Sequence, residues 1–371
     1  MKCTLNEAKP HTIKKFEIIN SYVGDWARKI LGYNNSKGVI YIDCMCNAGM
    51  YRDICGNEVK GTAILVAETL KNTIKDYPDK KAILFFNDLD EKKVECLKEY
   101  LKEYGLDNDS QFKVYTYKRD RDEFIIELEQ YMRGRTQGYN TLLIYDPYNA
   151  TLNWNAISPY INRWGEVIIN HMVYDTARWA KQAMKQEAKE KFQETYQQAI
   201  SKIVEAGTDR NKLDELIFEI IKNRASEKYD TYIASFPFFN RKNTVVYNLI
   251  FCTHHIEGMK LFKRKAWNAF GGKSSLKNTH GLENQMTFDF EKGEAVDASV
   301  DEGCYYIKDV AKYIYDKFSD QTSLTIDDVY ADLDRHPIFP SDGYKNEIKK
   351  ELKERYGAEI KRDKTLIFHK S

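Results

Sequence analysis

Acidic or amide side chains follow four short apolar segments in the N-terminal half of the sequence. They are Asp43 after residues 39–42, Asp88 and Asp90 after 82–86, Asp146 after 141–145, and Asn170 at the end of 166–170. Carboxylate and amide oxygens accept hydrogen bonds from hydroxyls and amines, so such side chains can bind the polar groups of a ligand. One acid of this kind only caps the following helix, but their repetition indicates a shared binding site.

The tetrapeptide Asp146-Pro147-Tyr148-Asn149 offers a second kind of chemistry. Proline stiffens the loop, and the Asp146 carboxylate can accept a hydrogen bond from an exocyclic amine. The Tyr148 ring gives a flat substrate a surface on which to stack. We therefore expect Asp146, Pro147 and Tyr148 to be the catalytic residues, the alternative being an ordinary turn at a strand end.

Strands and helices alternate in the segments that carry these residues. Five strands are predicted, at 39–43, 82–86, 112–116, 141–145 and 166–170. Helices are predicted at 12–31, 62–75, 91–104 and 121–132. Such alternation is typical of βαβ units and a parallel sheet, in which ligands bind beyond the carboxyl ends of the strands. The sequence thus predicts an α/β, Rossmann-like fold with its acids at the ligand-binding edge.

Rossmann-like domains of the S-adenosylmethionine (SAM)-dependent methyltransferase type bind their cofactor with features of this kind. A turn after the first strand approaches the methionine part, an acid after the second strand accepts from the ribose hydroxyls, and a loop after the fourth positions the methyl acceptor. The corresponding cofactor-binding residues in this sequence are Asp43, Cys44, Asn47, Gly49 and Asp88. We expect SAM to be the cofactor.

These motifs resemble those of the three-Cys-motif partner (TcmP) family of methyltransferase-like proteins. The matching segments are Lys9-Pro10-His11-Thr12, Tyr41-Ile42-Asp43 with Ala48-Gly49, Phe86-Asn87-Asp88-Leu89-Asp90, Ile144-Tyr145-Asp146-Pro147-Tyr148, Gly258-Met259-Lys260 to Trp267, and His336-Pro337-Ile338-Phe339. The resemblance covers about residues 1–275 and, more loosely, the tail. It implies a partner protein with a three-cysteine motif like that of radical-SAM enzymes.

The first turn departs from the family pattern. That pattern is Asp-Gly-Phe-Ala-Gly-Pro-Gly in type, whereas this chain keeps only Gly49, with Cys44 and Asn47 in place of the first two glycines. Asparagine tolerates left-handed backbone angles, so Asn47 can preserve the turn. Cys44 adds a side chain where the backbone approaches the ligand. This departure leaves cofactor binding plausible and puts catalytic competence in question.

The chain is predicted to contain a second domain. Residues 1–271 are predicted to form the methyltransferase-like Rossmann domain, with a helical insertion at about 174–230. Residues 272–303 are predicted to be a linker, because the segment begins at the Gly271-Gly272 pair, contains Ser274-Ser275 and shows little periodicity. Residues 304–371 predict three helices and two short strands, the outline of a small winged-helix domain with its own core. We expect this domain to contribute attachment rather than chemistry.

A basic helix near residue 260 is a candidate nucleic-acid surface. Lys263, Arg264 and Lys265 can contact phosphates, and Trp267 can stack on a base. A solvated helix face is the alternative. The formal net charge of the chain is only +1, so any contact with nucleic acid must come from such a local patch.

Composition narrows the class of protein further. The sequence contains no run of eighteen apolar residues, the length needed to span a membrane. The first residues lack the apolar core of a signal peptide, so we expect a cytoplasmic protein. Seven cysteines without a Cys-x-x-Cys pair are expected to be thiols, and no metal site is predicted from their spacing.

Three functions remain open from the sequence. The first is a SAM-dependent methyltransferase acting on nucleic acid together with the three-cysteine partner. The second is a catalytically degraded subunit that binds nucleic acid or the partner through the same pocket. The third and weakest is a metal-dependent nuclease built on Asp43, Asp88 and Asp146, which requires suitable spacing of these acids.

Overall fold

A seven-stranded mixed sheet forms the centre of the computed structural model. The structure describes residues 3–147, 151–162, 165–172, 190, 193–197, 210–240, 245–277, 286–289, 294–297, 304–321 and 324–369. The strands of the large sheet are β1 (Gly38–Asp43), β2 (Lys81–Asp88), β3 (Phe112–Lys118), β4 (Tyr139–Tyr145), β5 (Gly165–His171), β6 (Tyr232–Phe239) and β7 (Val245–Thr253). All five strands expected in the N-terminal half are therefore confirmed.

The strand order is β3-β2-β1-β4-β5-β7-β6. β7 runs antiparallel to both of its neighbours, while β1 to β5 are parallel. The order reverses between β1 and β4, and a doubly wound sheet opens a ligand crevice at such a point, beyond the carboxyl ends of the strands.

Ten helices whose bounds lie within the described residues surround this sheet and extend beyond it. They are α1 (Pro10–Leu31), α2 (Thr62–Ile74), α3 (Glu91–Glu103), α4 (Arg121–Met132), α5 (Trp154–Ile161), α6 (Arg210–Arg224), α7 (Ile256–Ala269), α8 (Ile307–Phe318), α9 (Ile326–Arg335) and α10 (Lys345–Tyr356). α5 was not expected from the sequence. A three-stranded sheet, formed by 6–7, 50–52 and 58–60, was not expected either.

The helices of the Rossmann domain begin at residues suited to that position. Pro10 opens α1, where its missing N–H costs nothing. The Asp90 and Asp120 side chains cap α3 and α4 by accepting backbone N–H groups. β1 and β5 are buried along their whole length, so they pack on both faces. The carboxyl ends of the five parallel strands, β1 to β5, therefore lie at one edge.

The C-terminal helices do not form the separate core expected of an independent domain. Their apolar side chains belong to the same buried cluster as α1, α2, α7 and one face of the sheet. Trp267 of α7 donates to the Ile338 carbonyl over 2.8 Å, and Ser235 of β6 donates to the Pro337 carbonyl over 3.1 Å. The expectation failed because the apolar stripes of the tail are completed by α7 and β6.

The tail nevertheless has the expected order of elements. Helices α8, α9 and α10 precede an antiparallel pair of short strands, Ala358–Ile360 with Leu366–Phe368. The predicted linker is partly structured, since Ser274 is buried and bonded to Tyr305, and strands Met286–Asp289 and Glu294–Asp297 pair. Of the predicted insertion at 174–230, α6 is described, whereas 174–189 and 198–209 lie outside the described residues.

Two cysteines differ from the expectation of free thiols. Cys3 and Cys96 form a disulfide that joins the N-terminal segment to α3, while the remaining five cysteines are free. Within the described part of the chain, no helix has the length and apolar character that crossing a bilayer requires.

Candidate cofactor and acceptor site

Three of the predicted acids lie at the ends of three neighbouring strands. β1 pairs with β2 on one side and β4 on the other, with Asp43 in register with Phe86 and Ile144. Asp88 ends β2, and Asp146 directly follows β4. The acids therefore share the carboxyl edge of the sheet, at and beside the point where the strand order reverses.

The first turn has the backbone shape that the sequence suggested. Asn47 has a φ of 58° and Gly49 a φ of 78°, both in the left-handed region. A Cβ on Gly49 would also lie 2.6 Å from Cδ1 of Leu97, so this glycine is needed for both its backbone angle and its close contact with α3. Asn47 thus replaces a glycine of the family pattern without losing the turn.

The amides of this turn are bonded within the protein. The Cys46 N–H donates to the Asn87 carbonyl (2.8 Å), that of Asn47 to Asp88 Oδ2 (3.1 Å), and that of Ala48 to Asn47 Oδ1 (2.8 Å). In a glycine-rich turn, amides of this kind are available to an anionic ligand group. Here three of them already have acceptors, so the turn offers fewer donors than the family pattern implies.

The Cys44 side chain does not project into the ligand crevice. Its thiol is fully buried and donates to the Ile144 carbonyl over 3.2 Å. It packs with the cluster on the α4 and α5 face of the sheet. The expected obstruction by Cys44 is therefore absent, because the side chain turns beneath β4.

Asp88 is buried and already has hydrogen-bond donors. Its side chain accepts from the amides of Asn47 and Asp90, and Lys93 Nζ lies 4.0 Å away. Each carboxylate oxygen retains a further lone pair, but the residue is only 2% exposed. The next residue, Leu89, is 66% exposed and presents apolar surface at the same edge.

Asp146 is fixed by partners from two other elements. Lys15 Nζ of α1 lies 2.5 Å from Asp146 Oδ2, and Asn170 Nδ2 of β5 donates to Asp146 Oδ1 over 2.5 Å. The Lys15 ammonium also lies 5.4 Å from the centre of the Tyr247 ring on β7. The carboxylate stays about a quarter exposed, with 28% of its side chain accessible, so it can still accept a bond from a ligand.

The role of Lys15 in the site was not predicted, although its position in the sequence of α1 indicates it. It lies four residues before Ile19 and seven before Tyr22, on the apolar stripe of α1, and is only 7% exposed. A lysine at a core-facing helical position is buried only when it is paired. Its stripe position therefore indicates an acidic partner inside the protein.

Burial controls the protonation of the central acid. The pKa of Asp43 is raised to about 7, chiefly because the carboxyl is buried, with the Met45 amide opposing the shift and the nearby Asp146 adding to it. The positive charge of Lys15 lowers the pKa of Asp43. The edge of the sheet therefore holds one carboxyl that titrates near neutrality beside one paired with a lysine.

Two buried polar atoms next to these acids lack a protein partner within the described residues. They are the Tyr41 hydroxyl and Asn170 Oδ1. Buried polar groups are nearly always hydrogen-bonded, so such atoms point to a missing water or ligand group. The donor set of carboxylates, an amide and a hydroxyl suits the hydroxyls and amines of a nucleoside, and Leu89 suits its ring.

Of the predicted catalytic tetrapeptide, only the first half can be described. Asp146 is partly exposed and Pro147 is buried at the end of β4. Tyr148 and Asn149 lie outside the described residues. The stacking surface expected from Tyr148 therefore stays a prediction.

The expected nucleic-acid surface on α7 needs correction. Lys263 is fully buried, and its ammonium donates to the carbonyls of Leu333, Asp334, His336 and Phe339 at 2.5–3.0 Å. Trp267 is also fully buried, against the same segment. Neither side chain is available to a phosphate or a base, because both attach the C-terminal segment to α7.

The other two basic residues of this patch are paired. Arg264 lies 2.6 Å from Asp342, and Lys265 lies 2.6 Å from Asp25. Both retain partial exposure, 33% and 18% of their side chains. Their charges are largely neutralised by these acids, so the helix lacks the unpaired positive charge that backbone binding requires.

Comparisons with known proteins find distant structural similarity and no family. No protein-family model matches the chain, and no curated protein matches it. The SAH-bound methyltransferase PaMTH1 of Podospora anserina is 11% identical over 64% of this chain and 77% of that one, with a TM-score of 0.31. An O-methyltransferase family protein from Burkholderia thailandensis is 7% identical over 64% and 57%, with a TM-score of 0.27.

A third solved structure has similarly low sequence identity and TM-score. Geranyl diphosphate C-methyltransferase from Streptomyces coelicolor, in complex with Mg²⁺, geranyl diphosphate and S-adenosyl-L-homocysteine, is 8% identical over 62% and 78%, with a TM-score of 0.25. Such values assign no activity to this chain, and the fold assignment depends on the strand order. By that order, the chain contains a mixed α/β domain with a doubly wound, Rossmann-like sheet.

Proposed function

We propose that this chain is a SAM-dependent methyltransferase-like protein that acts on nucleic acid. The observation that carries the proposal is the arrangement of Asp43, Asp88 and Asp146 on three adjacent strand ends in a sheet of this order. Ligands of doubly wound sheets bind at this edge. Asn47 supports the proposal because it keeps the first turn in its left-handed shape.

SAM, when bound, supplies an electrophilic methyl group, and the residues of this chain bind and orient the two reactants. Asp88 and the first turn would hold the nucleoside and methionine parts, with Leu89 against the ring. Asp146, fixed by Lys15 and Asn170, would accept a hydrogen bond from the amine that takes the methyl group. Lys15 holds this carboxylate in place, because its ammonium contacts Asp146 directly.

The C-terminal elements are proposed to be a winged helix that attaches nucleic acid. With α7 excluded, the remaining basic surface is on α10 and the following hairpin, where the exposed residues are Lys345, Lys350, Lys353, Arg355, Lys361, Arg362 and Lys364. Glu347, Glu354 and Glu359 lie among them and dilute the charge. Binding through this surface would weaken steeply with salt.

Membership of the TcmP family and a radical-SAM-like partner with a three-cysteine motif are part of the same proposal. They depend on the resemblance of the motifs in the sequence. A pull-down with a three-cysteine protein encoded beside this chain, repeated with the variant Asp146→Asn, tests the partner separately from the chemistry. Retention of the partner by both proteins is the expected result.

A second candidate is a binding subunit that has lost methyl transfer. The observation in its favour is the bonding of the Cys46, Asn47 and Ala48 amides within the protein, which leaves fewer donors for the cofactor. The nuclease is disfavoured, because the Lys15 ammonium occupies the cation position beside Asp146.

Transfer of a labelled methyl group separates the two candidates. The protein is incubated with methyl-tritiated SAM and single-stranded or duplex DNA or RNA, and the nucleic acid is counted. Label in the nucleic acid that is lost in Asp146→Asn supports the enzyme. Nucleic-acid binding without label, in protein that binds SAM weakly, supports the binding subunit.

A further inference from the structure

A large cavity opens at the opposite end of the sheet from the acids described above. It has a volume of about 890 Å³ and lies between the C-terminal half of α1, the loops before β1 and β4, and the start of α7. β1 and β4 begin here and the reversed strand β7 ends here, so the cavity lies at the amino ends of the parallel strands. It is thus separate from the cofactor and acceptor site.

Aromatic rings form a large part of the cavity wall. Trp26 is almost fully buried, Tyr139 is half-buried, and Tyr33 at the rim is 58% exposed. Aromatic faces are electron-rich and attract cations, most strongly where water is excluded. Tyr33 therefore offers an aromatic face at the mouth of the cavity.

A carboxyl group lies at the inner end of this cavity. Glu166 of β5 is 6% exposed and accepts hydrogen bonds from the hydroxyls of Tyr22 and Thr253. Gly258 lets α7 approach it closely, since a Cβ there would lie 2.4 Å from Glu166 Oε1. Both of its donors are neutral, and within the described residues no cationic side chain lies within ion-pair distance of it.

The cationic side chain nearest this wall is already paired. Lys29 Nζ lies 3.1 Å from Glu257, whose other oxygen accepts from Lys260. One carboxylate thus faces two lysines at the rim, whereas the buried Glu166 has no cationic side chain within ion-pair distance among the described residues. A buried carboxyl of this kind is stabilised when a positive group reaches it.

We propose that this cavity binds a small organic cation, with an ammonium group directed at Glu166 and an aromatic or apolar body against Trp26, Tyr33 and Tyr139. The cation completes the hydrogen bonding of the carboxylate, and the body displaces water from the aromatic wall. The site is independent of SAM and of nucleic acid. It is a second ligand site, at the opposite end of the sheet from the cofactor and acceptor site.

Protonation of the carboxyl group adds a pH dependence. Burial raises the pKa of Glu166 to about 7, while the hydrogen bonds from Tyr22 and Thr253 and the positive charge of Lys29 oppose the shift. The groups facing it from α1, β7 and α7 are Tyr22, Lys29, Cys252, Thr253, His255 and Glu257. The pKa of Cys252 is raised to about 12 and that of His255 is lowered. Affinity for a cation therefore rises between pH 6 and pH 8 as Glu166 ionises.

Calorimetry with tryptamine and its uncharged analogue tryptophol tests this site. We expect tryptamine to bind the full-length protein at least tenfold more tightly than tryptophol at pH 8, and this difference to shrink at pH 6. Glu166→Gln keeps the side-chain size and should reduce tryptamine affinity to the level of tryptophol. The matched control is Glu95→Gln, which removes an exposed carboxylate of α3 outside the cavity and should change affinity less than twofold.

A second variant tests the site even if Glu166→Gln does not fold. Tyr33→Ala alters an exposed ring and should weaken tryptamine binding by roughly two- to fivefold. Equal affinity for tryptamine and tryptophol, no binding of tryptamine at millimolar concentration, or unchanged affinity in a folded Glu166→Gln protein would each overturn the proposal. Because SAM plays no part in the assay, these outcomes are independent of the proposed function.

Discussion

Replacing Lys263 by methionine should detach the C-terminal segment from α7. The ammonium lies among four carbonyls, two of which belong to the last turn of α9 and two to the loop that follows it. Carbonyls at the end of a helix have no partner inside the helix, so they depend on outside donors. Methionine keeps most of the apolar stem and removes these donors.

The cost follows from the number of bonds that are lost. An ammonium has three N–H groups, and a hydrogen bond to a charged group contributes about 1.5–3 kcal/mol net. The desolvation of the buried charge offsets part of this, as burial also lowers the pKa of Lys263 to about 7. Removing the ammonium leaves buried carbonyl oxygens without donors, each at a cost of about 1–3 kcal/mol, so we expect a loss of about 3 kcal/mol in the free energy of unfolding.

Urea denaturation followed by circular dichroism measures this loss. Lys265→Met is the matched control, because Lys265 lies on the same helix and forms a partly exposed ion pair with Asp25. Such a pair contributes about 0–1 kcal/mol. A loss below about 1 kcal/mol in Lys263→Met, or equal losses in the two variants, would contradict the structural role given to Lys263.

Three further predictions concern the acids and the tail. Asp43 has a pKa of about 7 when folded and a lower one when unfolded, so its contribution to stability is lost as pH rises from about 4 to 7. In urea denaturation from pH 5 to 8, the free energy of unfolding of Asp43→Asn should therefore change less with pH than that of the wild type, and parallel profiles would refute this. Lys15→Met should raise the pKa of Asp43, since Lys15 lowers it, and a carboxyl carbon-13 titration that shows no upward shift would contradict the contact. Deletion of residues 304–371 should expose the shared core and cause aggregation, whereas a monomeric, stable product in size-exclusion chromatography would restore the separate domain.

The strands could be predicted because their residues form continuous apolar runs between turn residues. A buried parallel strand needs such a run, and the short apolar segments at 39–43 and 141–145 match this pattern. Helix α5 could not be found in this way, since it has eight residues and Pro159 within it. Short helices give too few turns for a periodic pattern.

The basic helix shows why local charge misled the prediction. Lys263, Arg264 and Lys265 are adjacent in sequence, but a helix turns by about 100° per residue and places them on different faces. Lys263 lies four residues after Met259 and four before Trp267, which are both buried. That spacing places Lys263 on the apolar stripe of α7, and this placement would have indicated that its side chain is buried.

The positions of the acids in the site could be predicted from the sequence, but their hydrogen bonds and ion pairs could not. A strand end fixes where Asp88 lies, yet the sequence contains no sign that the Asn47 and Asp90 amides bond to its carboxylate. The same holds for Lys15 and Asp146, which are 131 positions apart. Contacts of this kind depend on packing between distant elements, and a single sequence does not encode them in any local pattern.

Calorimetric titration with S-adenosylhomocysteine tests the central claim, namely that the carboxyl edge of the sheet binds the cofactor. The wild-type protein should bind, and Asp88→Ala should weaken binding by roughly tenfold or more, since each charge-assisted bond contributes about 1.5–3 kcal/mol. Asp90→Ala removes the neighbouring cap of α3 and should leave affinity nearly unchanged. Absence of binding to wild-type protein, or equal affinity in the wild type and Asp88→Ala, would contradict the account.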